Sequence, residues 1–272
     1  MDLDKIRKIH EKVTNNTPAQ RNMWKPDLGD HIIRIVPYVH QQDNPFVELY
    51  FHYRLLGKTY MSPIVNGDAD PFVEQSELLT SHGDRDKWIF GKKLEPKVRY
   101  FAPVIVRGEE KQGVRFWGFP QTIYKELLSY AVDPDYGDYT DLKTGRDITV
   151  SVTKEAGKKW NNTSIKLKPN TSVATSDKDM LQKIKEVPDV KTFFEVPTYE
   201  MLKKALVFKL ENGHDAEQSD TNGATSGVSS KDSEIKEKVK ETFSAEKKAP
   251  AKTTAVDDIN DEFAGLFDDD DD

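Results

Sequence analysis

The chain has 272 residues and a formal net charge of −7, unevenly placed: residues 213–272 hold 7 Lys and no Arg against 17 Asp and Glu, which leaves 33 basic and 30 acidic residues in 1–212. It contains no Cys, which excludes disulfides, thiolate zinc sites and cysteine nucleophiles. No apolar run approaches the roughly 18 residues of a membrane-spanning helix, and the opening MDLDKIRKIHEKV has no apolar signal core, so a soluble intracellular protein is expected.

Residues 1–17 set Lys5, Arg7, Lys8 and Lys12 beside Ile6, Ile9 and Val13 at helical spacing and stop at Thr17-Pro18. This is the pattern of a basic arm that becomes helical on a partner, although a frayed terminus has the same composition. His31 to Tyr38, HIIRIVPY, predicts a strand closed by Pro37. Glu48 to Leu56 and Lys58 to Val65 predict two more, joined at Leu56-Gly57-Lys58, with Tyr50, His52 and Arg54 alternating with Phe51, Tyr53 and Leu55. From Asn66 to Asp86 the chain turns acidic, with a turn at Asn66-Gly67-Asp68 and a short helix over Glu74 to Leu79. Lys87 to Lys97 is basic and aromatic.

Lys97 to Phe119, KVRYFAPVIVRGEEKQGVRFWGF, reads as two strands around a polar turn with Gly at both ends. Strand alternation puts Arg99, Phe101 and Arg107 on one side of the first strand and Arg115, Trp117 and Phe119 on one side of the second. Together they predict a surface of cations and flat rings, which suits a single nucleic-acid strand. The alternative is a hairpin whose rings face the core.

Gln121 to Ala131 predicts a helix with Ile123, Leu127 and Tyr130 on one face, followed by an acidic loop over Asp133 to Asp141. Two strands follow, one with Ile148, Val150 and Val152 on a face and one with Thr163, Ile165 and Leu167; their turn holds Gly157, Lys158, Lys159 and Trp160, and Lys166 and Lys168 project opposite Ile165. Helices are predicted over Asp177 to Val187 and Thr198 to Leu210, the second capped by Thr198. Residues 212–256 are too poor in apolar side chains to order themselves. The last segment sets Ile259, Phe263, Leu266 and Phe267 among acids and ends in five Asp, the spacing of a helix that folds on a partner.

Several short strands in a body of about 190 residues suggest a barrel, and the OB-fold is the small barrel most used for single strands. Basic and aromatic residues recur at strand ends: Lys58 and Tyr60, Lys92 and Lys93, Lys97 with Arg99 to Phe101, Arg115 to Trp117, and Lys158 to Trp160. These are expected to line one groove. His52, Asp68, Asp70, His82, Asp84 and Asp86 fall close together but lack the spacing of a zinc or calcium motif, so no metal is expected. Phosphate loops, GxSxG and HExxH are absent, and neither enzymatic activity nor a cofactor is expected.

In order and over nearly its full length the chain resembles the single-stranded DNA-binding, helix-destabilising proteins of T4-type bacteriophages. IIRIVP is similar to that family's VIRFLP-like strand, KTYM to a KWYI-like strand, KVRYFAPVIV to a KTSYWANILVV-like strand, and VRFWGFPQTIY to an FKYRFGKKIW-like strand entering a helix. The low-complexity linker and acidic terminus resemble the family too. The resemblance implies an α+β, mainly β fold: an OB-fold barrel with inserted helices that holds single-stranded DNA in a positive cleft, cytoplasmic in an infected bacterial host. It implies DNA contacts at Tyr100 and Trp117 with Phe101 and Phe116 beside them, and a head-to-tail role for Lys5, Arg7 and Lys8. It also implies docking of replication, recombination and repair proteins through the tail, represented by Phe263, Leu266, Phe267, Asp268, Asp269 and Asp270.

The expected organisation is an arm at 1–17, a core at 18–212 with an inserted subdomain at about 50–95, a disordered linker at 213–256 and an acidic tail at 257–272. The family's zinc subdomain uses one His and three Cys. Here His52 stands in the place of that His, but the CPVC-like turn reads Asp70-Pro71-Phe72-Val73, so burial of Phe72 and Val73 is expected to hold this lobe. Two other functions fit the same pattern: an adaptor with a peptide-binding barrel, and an RNA-binding OB protein.

Overall fold

The computed structural model describes residues 22–41, 43–55, 57–81, 83–154 and 161–212. The arm, linker and tail read from the sequence lie outside them, as do Lys158, Lys159 and Trp160. The fold is mixed α+β and mainly β. Its strands are β1 (Met23–Trp24), β2 (Gly29–Ile35), β3 (Val47–Leu55), β4 (Lys58–Met61), β5 (Lys97–Val106), β6 (Arg115–Phe119), β7 (Arg146–Lys154) and β8 (Asn161–Thr171). Its helices are α1 (Pro71–Thr80), α2 (Arg85–Leu94), α3 (Gln121–Val132), α4 (Lys178–Lys185) and α5 (Tyr199–Asn212).

The strands form one sheet in the order β1-β6-β5-β2-β7-β8, with β3 paired to β5 and β4. The hydrogen-bonded path is open, and a ring closed by pairing is not formed among the described residues. The reason lies at β6. One edge pairs with β5, and the other is taken in parallel by β1, with Met23 opposite Phe116 and Trp24 opposite Trp117. That edge is therefore not available to β8.

β5 is the central strand, buried on both faces from Arg99 to Val106. On one edge it pairs first with β3, over residues 97–101, and then with β2, over 104–106. Pro103 stands at the changeover. Its carbonyl accepts from the Val36 amide at 3.0 Å, so its missing N–H faces the gap between the two partner strands, where no ladder bond is lost. One face of β5 packs Tyr100, Ala102, Val104 and Val106 into a core with Ile33, Ile148, Val150 and Leu167, and α3 covers that core with Ile123 and Leu127. The other face packs Phe101 against Leu49, Phe51 and Phe116.

A buried staple joins the strands on the side away from α3. Arg34, on β2, donates from Nε to Asp147 Oδ1 at 2.9 Å and from Nη2 to the Ser172 carbonyl at 2.9 Å. Arg107 shares the same carboxylate, reaching Asp147 Oδ1 at 2.9 Å and Oδ2 at 3.2 Å, and also donates to the Ala174 carbonyl at 2.7 Å. Gly145 lets the guanidinium pass: a Cβ there would lie 2.8 Å from Arg34 Nη1 and closer still to the carbonyl of Asp141.

The inserted lobe contains α1, α2 and β4, and α5 packs into it through Leu202, Ala205, Leu206 and Leu210 against Leu55, Tyr60, Phe72, Leu79 and Leu94. Phe72 is buried, as the sequence predicts; Val73 is half-buried. A polar cluster adds to the packing. Asp70 caps α1 by accepting from the Phe72 amide at 2.9 Å, and its other oxygen meets His52 Nε2 at 2.7 Å and the Ser62 hydroxyl at 2.5 Å. All three side chains are buried. Asp84 likewise caps α2, accepting from the Asp86 amide at 2.9 Å, so acids that look ligand-like in the sequence begin helices.

Burial pushes the Asp70 carboxyl upward, but the hydrogen bond and charge of His52, with the Ser62 and Phe72 donors, outweigh it and hold the value below the ordinary 3.8. A depressed carboxylate contributes stability that is fully present above its unfolded value and is lost as pH falls through the folded one. Asp70→Asn is therefore expected to cost about 1–3 kcal/mol at neutral pH, by leaving buried polar groups unmatched. Urea midpoints of the two proteins should converge below pH 4, and a constant difference down to pH 2 would contradict this account of the lobe.

Candidate nucleic-acid interface

The β5–β6 register separates the side chains that alternation alone placed on one surface. Phe119 stands opposite Tyr100, Trp117 opposite Ala102 and Arg115 opposite Val104. Trp117 and Phe119 thus share a face with Tyr100, whereas Phe101 and Phe116 lie on the other face. Both faces are core. Trp117, Phe116 and Phe119 are 1% exposed, Phe101 is 0% and Tyr100 is 5%. The expectation of an open ring-and-cation surface on this hairpin is corrected accordingly: the rings pack, Trp117 against Trp24 at 6.0 Å and Phe119 at 4.7 Å between centroids.

The predicted cations also divide. Arg99 and Arg115 are buried, and Arg115 is bound to Glu109 Oε2 at 2.6 Å and Gln112 Oε1 at 2.8 Å. Arg107 belongs to the staple around Asp147. Tyr60 is a buried core side chain of the lobe and Lys58 is half-buried. Lys92, Lys93 and Lys97 are exposed and meet at the junction of α2 and β5; Lys92 lies 2.7 Å from Glu95 and 5.8 Å from the ring centre of Trp88, itself 48% exposed. Lys166 is exposed and Lys168 half-buried on β8, on the face opposite Ile165 and Leu167. Of the residues expected to line one groove, Tyr60, Arg99, Tyr100, Phe101, Arg115, Phe116, Trp117 and Phe119 are thus enclosed in the protein, and Lys158, Lys159 and Trp160 lie outside the described residues.

What the fold does bring together is a ledge of tyrosines beside α3. Glu48 on β3 stands opposite Tyr100, and Tyr50 opposite Val98. The Tyr50 hydroxyl donates to Glu48 Oε1, and the charge of Glu48 acts on Tyr100, its partner across the strands. Tyr124 stacks on Tyr100 with ring centres 3.8 Å apart and planes 14° from parallel, and Phe46 meets Tyr124 edge-on at 5.5 Å. Tyr50 and Tyr124 are half-exposed, and Glu48, Gln121 and Lys125 are exposed. α3 begins at Pro120 without a side-chain cap, so its first N–H groups and the positive end of its dipole stand next to Gln121.

These phenols stay protonated at neutral pH. The hydrogen bond to Glu48, with burial, pushes Tyr50 up to about 12. Burial, followed by the charge of Glu48, raises Tyr100 and Tyr124 as well. The ledge therefore offers neutral flat rings, a surface on which bases stack without regard to identity. Further along α3, Tyr130 packs edge-on to Tyr136 at 5.4 Å, and the Arg146 guanidinium sits 5.6 Å over the Tyr136 ring.

A family model described as gp32 DNA binding protein like matches residues 27–207. The chain belongs to this family. No curated protein matches it. The matched span of this DNA-binding family runs from just before β2 into α5, and so takes in the sheet, the lobe and the tyrosine ledge. Among the described residues no helix is long and apolar enough to cross a membrane, and no group of three or more His, Asp or Glu is placed to hold a metal ion.

Tyr50, Tyr124, Tyr136 and Trp88 were not among the residues that sequence spacing singled out. Tyr124 and Tyr130 sit six apart in QTIYKELLSY, which gives each a separate place on the helix and no stripe to notice. Tyr50 had a signal in its polar strand face. What no pattern reveals is that Glu48 and Tyr50 come to lie across from Tyr100 and Val98.

Proposed function

We propose that the protein is a non-catalytic binder of single-stranded DNA, largely indifferent to sequence, that coats and protects exposed strands in phage DNA replication, recombination and repair. The match of residues 27–207 to a DNA-binding family carries this reading. The strand order supports it: β6-β5-β2-β7-β8, with α3 linking β6 to β7, is the order of a partly open five-stranded OB barrel, a fold that serves single strands. The tyrosine ledge gives bases a place to stack, and the exposed lysines at the α2–β5 junction favour phosphate. By binding one strand and not the duplex, the protein lowers the free energy of the open form by mass action.

In this proposal Lys5, Arg7 and Lys8 join neighbouring copies head to tail on the strand. The tail, through Phe263, Leu266, Phe267 and Asp268 to Asp270, docks replication and repair proteins and occupies the cationic surface when DNA is absent. Deleting residues 257–272 is then expected to tighten binding several-fold at low salt, with the gain shrinking as salt screens the polyanion. Equal affinities for full-length and truncated protein in low salt would remove the tail from the cleft.

The function is tested by titrating a labelled oligothymidine and a matched duplex across ionic strength. A clear preference for the single strand is expected, with log K falling linearly in log salt at about 0.7 per phosphate contacted. Salt-insensitive binding, or equal binding of duplex, would point instead to an apolar peptide platform or to a different DNA-binding mode.

A further inference from the structure

The ledge contains a group that non-specific strand binding does not call for. Glu48 is exposed, yet it stands among three tyrosines: it accepts from the Tyr50 hydroxyl and lies opposite Tyr100 on the neighbouring strand, and Tyr100 in turn carries the stacked ring of Tyr124. A carboxylate here repels phosphate, so the backbone of a bound strand lies away from it and the bases lie toward it. An ionised carboxylate only accepts, with about four lone-pair sites, and on exposed Glu48 the one bond from Tyr50 leaves others open to solvent.

The same hydrogen bond removes a competing donor. A thymine or uracil offers the carbonyls O2 and O4, and the Tyr50 hydroxyl proton that would meet one is already committed to Glu48. Cytosine offers its N4 amino group instead, the donor that Glu or Asp accepts from when it reads that base. The N3–H of uracil is a poorer match, because it is flanked by two carbonyls that would both face the carboxylate.

We propose that Glu48 reads the edge of the base stacked on the Tyr50–Tyr124 ledge and gives the protein a preference for amino-bearing bases, cytosine above all, over thymine and uracil. This rests on the single-strand reading above and adds to it a base-selective position within an otherwise tolerant interface.

The test compares oligodeoxycytidine with oligodeoxyuridine of equal length, at neutral pH and one ionic strength, for wild type, Glu48→Gln and Glu48→Ala. The two strands differ in the C4 substituent and the N3 proton but not in ring size or methylation. Wild type is expected to bind the cytidine strand roughly tenfold more tightly. Glu48→Gln, which can donate to O4, should abolish most of that ratio by strengthening uridine binding, and Glu48→Ala by weakening cytidine binding. A ratio identical in wild type and both variants would overturn the role of Glu48 and leave strand binding intact. If wild type binds neither strand, the proposed function falls and this inference with it.

Discussion

Trp117→Ala is expected to destabilise the protein by about 3–5 kcal/mol, the cost of a large cavity where the neighbours relax only partly. Trp117 is 1% exposed and packs against Trp24 and Phe119 at the centre of the main core. A domain has only about 5–15 kcal/mol to lose, so much of the variant would be unfolded at physiological temperature. Trp117→Phe keeps an aromatic volume and should fold. In the folded fraction both variants should bind single-stranded DNA as wild type does, because a ring enclosed on all sides makes no stack with a base. Denaturant titration together with a DNA titration of Trp117→Phe checks both halves. A stable Trp117→Phe protein with tenfold weaker DNA binding would show that this ring leaves the core on binding.

Arg34→Ala should be comparably damaging, at about 3–5 kcal/mol, through unmatched polarity rather than lost volume. Burial pulls the Arg34 guanidinium below its ordinary value, and the Asp147 carboxylate opposes that fall. Removing the side chain strands the carbonyls of Asp141 and Ser172 and leaves Asp147 to Arg107 alone. The loop from Tyr139 to Gly145 and the segment after β8 are both tied to that one side chain, so amide exchange should rise in both together. Exchange confined to β2 would show that the staple is dispensable to them.

Most of the strands were legible because half-buried strands alternate. Ile148, Val150 and Val152 point into the core as their spacing predicts, and so do Ile165 and Leu167. The face choice of β5 and β6 was not legible. A strand buried on both sides has no polar face to mark its orientation, and the register across the turn depends on the 3-10 segment Glu110–Gln112, whose residues are as polar as any loop. α2 escaped for a different reason. Its packed side is built partly from Gly91, where a Cβ would lie 3.0 Å from the Ser76 carbonyl and 3.1 Å from Leu79 Cβ, while Trp88 and Ile89 face outward, so it shows no apolar stripe. β1 has two residues and no period of its own; it exists by pairing with β6.

The candidate site was legible in kind rather than in place. Aromatic and basic side chains are abundant in the span that matches the family, but the rings most conspicuous in the sequence, Phe101, Phe116 and Trp117, are those that the sheet buries on its two faces. Tyr50, Trp88, Tyr124, Tyr130 and Tyr136, left partly or fully at the surface, come from the polar face of β3, from α2 and α3, and from the loop after α3. Trp117 is accordingly a poor fluorescence reporter of base stacking, and Trp88, at the exposed side of α2, is better placed to sense a bound strand.

The ledge is tested most directly by the affinity of an oligothymidine for Tyr124→Ala, Tyr50→Ala and Trp117→Phe at one moderate salt concentration. If bases stack on the ledge, each tyrosine variant loses about 1–3 kcal/mol of binding, some five- to hundredfold, while Trp117→Phe binds as wild type. Undiminished binding by both tyrosine variants, with the loss falling on Trp117→Phe, would contradict it.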